Sequence, residues 1–147
     1  MNRRRFRRSK VFNTKYFTKF LPEYPVRLFE GGEQLYHYLI QQSSPNFMGL
    51  LPGLIILNFR MPVLNGYELL KLLRQTPDNA HTQWRTLPIV MMTSENVSEE
   101  VKQCYQAGAN SFVTKPIIFE ELRELMETIC HYWLDSNLVA AASSELH

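Results

Sequence analysis

Few side chains in this 147-residue chain stand where chemistry is ordinarily done. Cys104 and Cys130 are isolated, with no CxxC pair and no histidine at ligand spacing, so neither a metal knuckle nor a redox couple is expected. His37, His81, His131 and His147 are scattered and suggest no metal site. No Gly-rich phosphate loop and no nucleophile–base pair is present.

Charge is concentrated at one end. Residues 1–19 hold eight basic side chains (Arg3, Arg4, Arg5, Arg7, Arg8, Lys10, Lys15, Lys19) and no acidic one. The chain totals 16 basic and 14 acidic side chains, so the rest carries a net −6 beneath a formal +2. Asn2 to Arg8 superficially resembles a twin-arginine export signal. Such a signal needs an apolar stretch directly afterwards, and Ser9, Lys10, Asn13, Thr14 and Lys15 interrupt it. A solvated terminus, or a phosphate anchor for nucleic acid, are the other readings of this arm.

The elements that would position these residues alternate. The length fits one domain with its own core, and 45% apolar residues exclude a disordered chain. No apolar run approaches the ~20 residues of a membrane-spanning helix, and a soluble, cytoplasmic protein is expected. Phe12, Tyr16, Phe17 and Phe20 predict a helix over about Ser9–Leu21, and Pro25–Phe29 reads as a short strand. Gly31-Gly32 leads into a helix with Leu35, Tyr38 and Leu39 on one face. Leu54–Leu57 reads as a strand buried on both sides. Asn65-Gly66 marks a turn before a helix over Tyr67–Arg74 with Leu69, Leu70, Leu72 and Leu73 inward. Pro88–Met92 is a second buried strand, and Ser98 is the expected N-cap of a helix ending near Gly108. Ser111–Thr114 is the last strand. Phe119, Leu122, Leu125, Met126, Ile129 and Trp133 define a long amphipathic helix. Both cysteines fall on apolar helix faces and are expected to be buried free thiols. The alternation predicts an α/β fold with a parallel sheet wrapped by helices.

Three strings then converge on one family. Leu54-Ile-Ile-Leu-Asn58-Phe-Arg60-Met61-Pro62 with Asn65-Gly66 resembles the third strand and following loop of a response-regulator receiver domain. Ile89-Val-Met-Met-Thr93-Ser94 is similar to its fourth strand, and Ala107-Gly-Ala-Asn-Ser-Phe112-Val-Thr-Lys115-Pro116 to its fifth. The resemblance covers residues from about 9 to 133. It implies the CheY-like, flavodoxin-like doubly wound parallel sheet. The tail His131-Tyr132-Trp133-Leu134 resembles the single-domain regulators that pair with phytochrome-type kinases. The resulting division is a basic arm at 1–8, a receiver-like domain at 9–134 and a tail at 135–147. With only about a dozen residues after the last helix, a stand-alone receiver is expected.

The resemblance also implies a chemistry that this chain departs from. In the family, an Asp ending the third strand accepts a phosphoryl group from a kinase histidine. Two further carboxylates join it in holding Mg²⁺. Here the acceptor position is Asn58, and the acidic pair would fall near Arg5 to Arg8, where no Asp or Glu stands. Thr93 and Lys115 match the phosphoryl contacts, Phe112 matches the switch aromatic, and Arg60, Met61 and Pro62 form the loop after the acceptor. They could equally persist as packing alone. No cofactor and no Mg²⁺ is expected, since a hard dication prefers anionic oxygens. The first strand is expected to be missing or degenerate, because arginines do not build a buried strand. The leading expectation is a non-enzymatic pseudo-receiver in a two-component phosphorelay. Its partner would be a histidine kinase or another two-component protein, and a homodimer is open. A conventional regulator truncated or mutated at its N-terminus and acceptor is the alternative. A nucleic-acid-associated protein using the arm ranks lowest, because the remaining surface is acidic.

Overall fold

Residues of β1 (Ile55–Asn58) and β2 (Ile89–Thr93) alternate between two hydrophobic layers. Ile55, Leu57, Ile89 and Met91 point to one side of the sheet, and Ile56, Val90 and Met92 to the other. A strand buried on both faces needs apolar side chains at successive positions, which is why both runs are aliphatic without polar alternation. A computed structural model describes residues 24, 26–46, 52–77, 84–95 and 97–137. The basic arm, the expected helix over Ser9–Leu21 and the missing or degenerate first strand fall outside these residues.

The three described strands lie in the order β1, β2, β3 (Ser111–Thr114) and all are parallel. Ile55 pairs with Ile89, and Val90 with Ser111. On the first side, α1 (Gly32–Gln42) contributes Leu39, α2 (Gly66–Gln75) contributes Leu69, Leu70 and Leu73, and α3 (Ser98–Ala107) contributes Cys104. On the second side, α4 (Phe119–Cys130) lays Leu122 and Ile129 over Val90 and Met92. Parallel strands flanked by helices on both faces make the doubly wound α/β fold that the alternation predicted.

Several local expectations are corrected. Val26–Phe29 forms no strand among the described residues. Val26 and Leu28 pack with Leu54, Met126 and Cys130, while Phe29 meets Tyr38 at 5.2 Å between ring centroids. Leu72 is exposed, not inward, because it stands off the face that Leu69, Leu70 and Leu73 share at ~100° per residue. Phe119 is also exposed, as the first residue of α4. Ser98 is the first helical residue and the N-cap is Val97, which offers no side-chain acceptor. The last helix ends as α-helix at Cys130 and continues as a wider π-type turn over His131–Ser136. There Asp135 accepts from Tyr24 Oη at 2.6 Å and lies 3.2 Å from His131 Nδ1.

Asn65-Gly66 is a helix start and not a bend that needs a left-handed glycine. Asn65 Oδ1 accepts the Glu68 N–H at 2.8 Å, and Glu68 Oε1 accepts the Asn65 N–H at 3.1 Å. This reciprocal box satisfies two of the N–H groups that a helix start leaves over. Asn65→Ala is expected to cost about 1–2 kcal/mol, read as a lower urea midpoint at unchanged slope. Gly108, which ends α3 with φ 112, is the position that does need glycine.

Both cysteines are buried free thiols, as expected. Burial, reinforced by Glu100 for Cys104 and by Asp135 for Cys130, pushes each thiol up to about 11. Neither is a nucleophile near neutral pH.

Candidate functional site

Parallel register brings the three polar strand ends together. Asn58 lies opposite Met92, so Thr93 stands one residue further along β2. Thr93 lies opposite Thr114, so Lys115 stands one residue beyond β3. With neighbouring strands about 4.8 Å apart, Asn58, Thr93 and Lys115 sit on adjoining carboxyl ends of the sheet. That edge is where open α/β sheets bind ligands. Backbone bonds hold it: the Phe59 N–H donates to Met92 O at 2.8 Å, and the Lys115 N–H to Thr93 O at 2.7 Å.

The environments of the three differ. Asn58 is exposed, Thr93 is buried and Lys115 is half-buried. Burial lowers the Lys115 ammonium from its ordinary value. Thr93 Oγ1 accepts the Glu95 N–H at 3.2 Å, a turn that caps the strand end. Among the described residues, no group of three His, Cys, Asp or Glu side chains could hold a metal ion.

Phe112 is half-buried and packs on the core. Its ring centroid lies 6.3 Å from Phe59, and Phe59 lies 6.4 Å from Tyr67 on α2. Its backbone N–H donates to Tyr105 Oη at 3.1 Å, which ties β3 to α3. Both observations suit the packing account of this aromatic.

The loop after Asn58 splits its three residues. Met61 is half-buried against the main core, and Pro62 is exposed. Pro62 O accepts the Leu64 N–H at 2.7 Å around Val63, which has φ 67, an uncommon conformation for a β-branched residue. Arg60 reaches across the sheet edge. Its Nη2 donates to both Glu100 oxygens at 3.1 and 2.9 Å, its Nε lies 3.6 Å from Glu95 Oε1, and its guanidinium sits 5.4 Å from the Phe59 ring centroid.

Sequence reasoning missed Arg74, Asn110, Glu95 and Glu100. Arg74 donates to Gly108 O at 2.8 Å, Trp84 O at 2.6 Å, Leu87 O at 2.8 Å and Asn110 Oδ1 at 2.7 Å. Asn110 Oδ1 also accepts the Ile89 N–H at 2.8 Å, and the Asn110 N–H returns to Ile89 O at 2.9 Å. No spacing rule flags an arginine whose partners are backbone carbonyls from other segments.

A family described as "Response regulator receiver domain" matches residues 12–127. The two-component response regulator ARR15 of Arabidopsis thaliana is 33% identical over 107 residues, 71% of this chain and 50% of that protein. The probable methanogenesis regulatory protein FilR2 of Methanothrix harundinacea (strain 6Ac) is 30% identical over 87 residues, 59% of this chain and 53% of that protein. The chain thus spans about half the length of the curated relatives it matches. The Mn(2+)-bound form of response regulator Rcp1 superposes with a TM-score of 0.69 at 22% identity, covering 87% of this chain and 91% of that one. The phosphorylated cyanobacterial phytochrome response regulator RcpA gives 0.70 at 19% identity, covering 87% and 93%. These two likenesses speak to the fold, which is shared with phytochrome-associated regulators.

Proposed function

Because the chain belongs to the response regulator receiver domain family, we propose that it is a two-component signalling module that works without taking a phosphoryl group at position 58. The observation that carries this reading is Asn58 at the end of β1, beside the strand ends that carry Thr93 and Lys115. An amide nitrogen is delocalised into its carbonyl and is not a nucleophile, so no acyl phosphate forms there.

The donor set points the same way. A hard dication needs several oxygens, preferably anionic. Around Asn58 the described side chains offer an amide, a hydroxyl and an ammonium. The carboxylates within reach of Arg60, Glu95 and Glu100, face a guanidinium. These donors do not fit Mg²⁺ or Mn²⁺.

The module then acts by binding. Its partner is a histidine kinase or another two-component protein, and the chain itself is not an enzyme. The surface of α3, β3 and α4 suits such a role, because Tyr105, Ile117 and Ile118 are exposed there. No helix among the described residues is long and apolar enough to cross a membrane, which accords with a cytoplasmic site of action.

The test is incubation with acetyl phosphate and Mg²⁺, read by intact mass. The chain stays unlabelled. So does Asn58→Asp, which restores the nucleophile but not the cation's other carboxylates. Stoichiometric labelling of the unsubstituted chain on any carboxylate overturns the reading.

A further inference from the structure

Two helices of this domain carry a glutamate at their third position and use it differently. In α2, Glu68 folds back to accept the N–H of its N-cap, Asn65, at 3.1 Å. In α3 the matching residue is Glu100, and the N-cap is Val97, which contributes no side-chain bond. Both Glu100 oxygens accept instead from Arg60 Nη2, on the loop that follows β1. The start of α3 therefore lacks a side-chain cap and is held from outside its own helix.

The surroundings of the pair make it more than a surface contact. The Glu100 side chain is 20% exposed and that of Arg60 51%, so solvent screens the pair only in part. Glu95, from the loop between β2 and α3, gives the guanidinium a second carboxylate at 3.6 Å. The Phe59 ring lies 5.4 Å away and in turn packs on Phe112. Arg60 thus links the β1–α2 loop, the β2–α3 loop and the first turn of α3 above the edge that bears Asn58 and Thr93.

We propose that Arg60 and Glu100 form an electrostatic latch that docks the start of α3 on the β1–α2 loop with no phosphoryl group present, and that breaking it frees the first turn of α3 to fray. The element has a docked and a frayed arrangement because Val97 supplies no side-chain cap to hold the turn once the ion pair is gone. Salt, or an anionic group that competes for Arg60, biases it toward the open arrangement. The latch goes beyond the pseudo-receiver reading and does not depend on it.

Amide hydrogen exchange on the full chain tests the latch. The readout is Val101, whose N–H bonds Val97 O at 3.1 Å, together with the amides of the following turn. Arg60→Ala and Glu100→Gln each speed exchange there by roughly two- to fivefold, the range a partly shielded ion pair supports. Glutamine keeps the ability to cap, so E100Q isolates the loss of charge. Arg60→Lys, which keeps a cation beside Glu95 and Glu100, exchanges more slowly than R60A, and about 1 M salt brings the unsubstituted chain to the R60A rate. Unchanged exchange in both single variants overturns the latch, as does R60K exchanging as fast as R60A. Acetyl phosphate labelling is read separately, so failure of the latch and failure of the pseudo-receiver reading are distinguishable.

Discussion

Arg74→Met lowers the stability of the domain by about 3–4 kcal/mol, seen as a drop of roughly 10 °C in the thermal midpoint. Arg74 leaves the last turn of α2 and donates to three backbone carbonyls and to Asn110 Oδ1. Those acceptors belong to the turn before β2 and to the α3–β3 connection, so one guanidinium joins three segments that are distant in sequence. A hydrogen bond from a charged donor contributes about 1.5–3 kcal/mol, and contributions of one group are not additive. Arg74 is only partly buried, so water can reach some of the carbonyls once the guanidinium is gone. That places the loss well below the simple sum.

Among the described residues Arg74 binds backbone carbonyls and an amide oxygen and no carboxylate. Burial lowers the guanidinium from its ordinary value, yet an arginine stays charged across any accessible pH. The charge is solvated by carbonyl dipoles in place of water. Arg74→Lys is expected to recover less than half of the loss, because an ammonium cannot span acceptors set out for a planar fork. A loss below about 1 kcal/mol for Arg74→Met would show that the carbonyls rehydrate freely.

Gly66→Ala is expected to destabilise by about 3 kcal/mol, against the direction that helix propensity alone predicts. Alanine is favoured over glycine by about 1 kcal/mol inside a helix, so a position with free space would gain stability. Here an added Cβ falls inside the contact distance of Asn58 O and meets Met91 Cε at 3.0 Å. The Gly66 N–H meanwhile donates to Phe59 O at 2.9 Å, so the helix start cannot retreat without breaking that bond. Relief of the clash must move α2, or the end of β1 that carries Asn58. Urea denaturation decides the sign, and a midpoint raised by the substitution would mean that β1 yields cheaply.

Much of the molecule was legible from its residues. The strands at Leu54–Leu57 and Ile89–Met92 announce themselves because a strand covered on both faces has no polar position. The inward set Leu69, Leu70 and Leu73, the buried cysteines and the Gly108 stop follow from helical period and from the left-handed end of a helix. The exposure of Leu72 and Phe119 was not legible. Four leucines in five positions look alike to a periodicity argument, and only the sheet beneath α2 decides which one faces away. Phe119 opens its helix at the sheet end, where side chains lean back toward the N-terminus and past the covering layer.

The candidate site divides along the same line. Residue identity alone determines that Asn58 is an amide and not a carboxylate, that Thr93 ends an apolar run, and that a basic arm precedes an acidic domain. These are properties of single residues and of spacing, which a chain carries before it folds. Tertiary structure alone decides that the Thr93 hydroxyl caps Glu95, that Phe112 rests on Phe59, and that Arg60 and Arg74 choose carboxylates and carbonyls respectively. Each of these pairs joins residues that pattern does not relate, because a cation binds whatever acceptors the packed backbone presents within reach. Local period writes the elements, and the geometry of their packing assigns the partners.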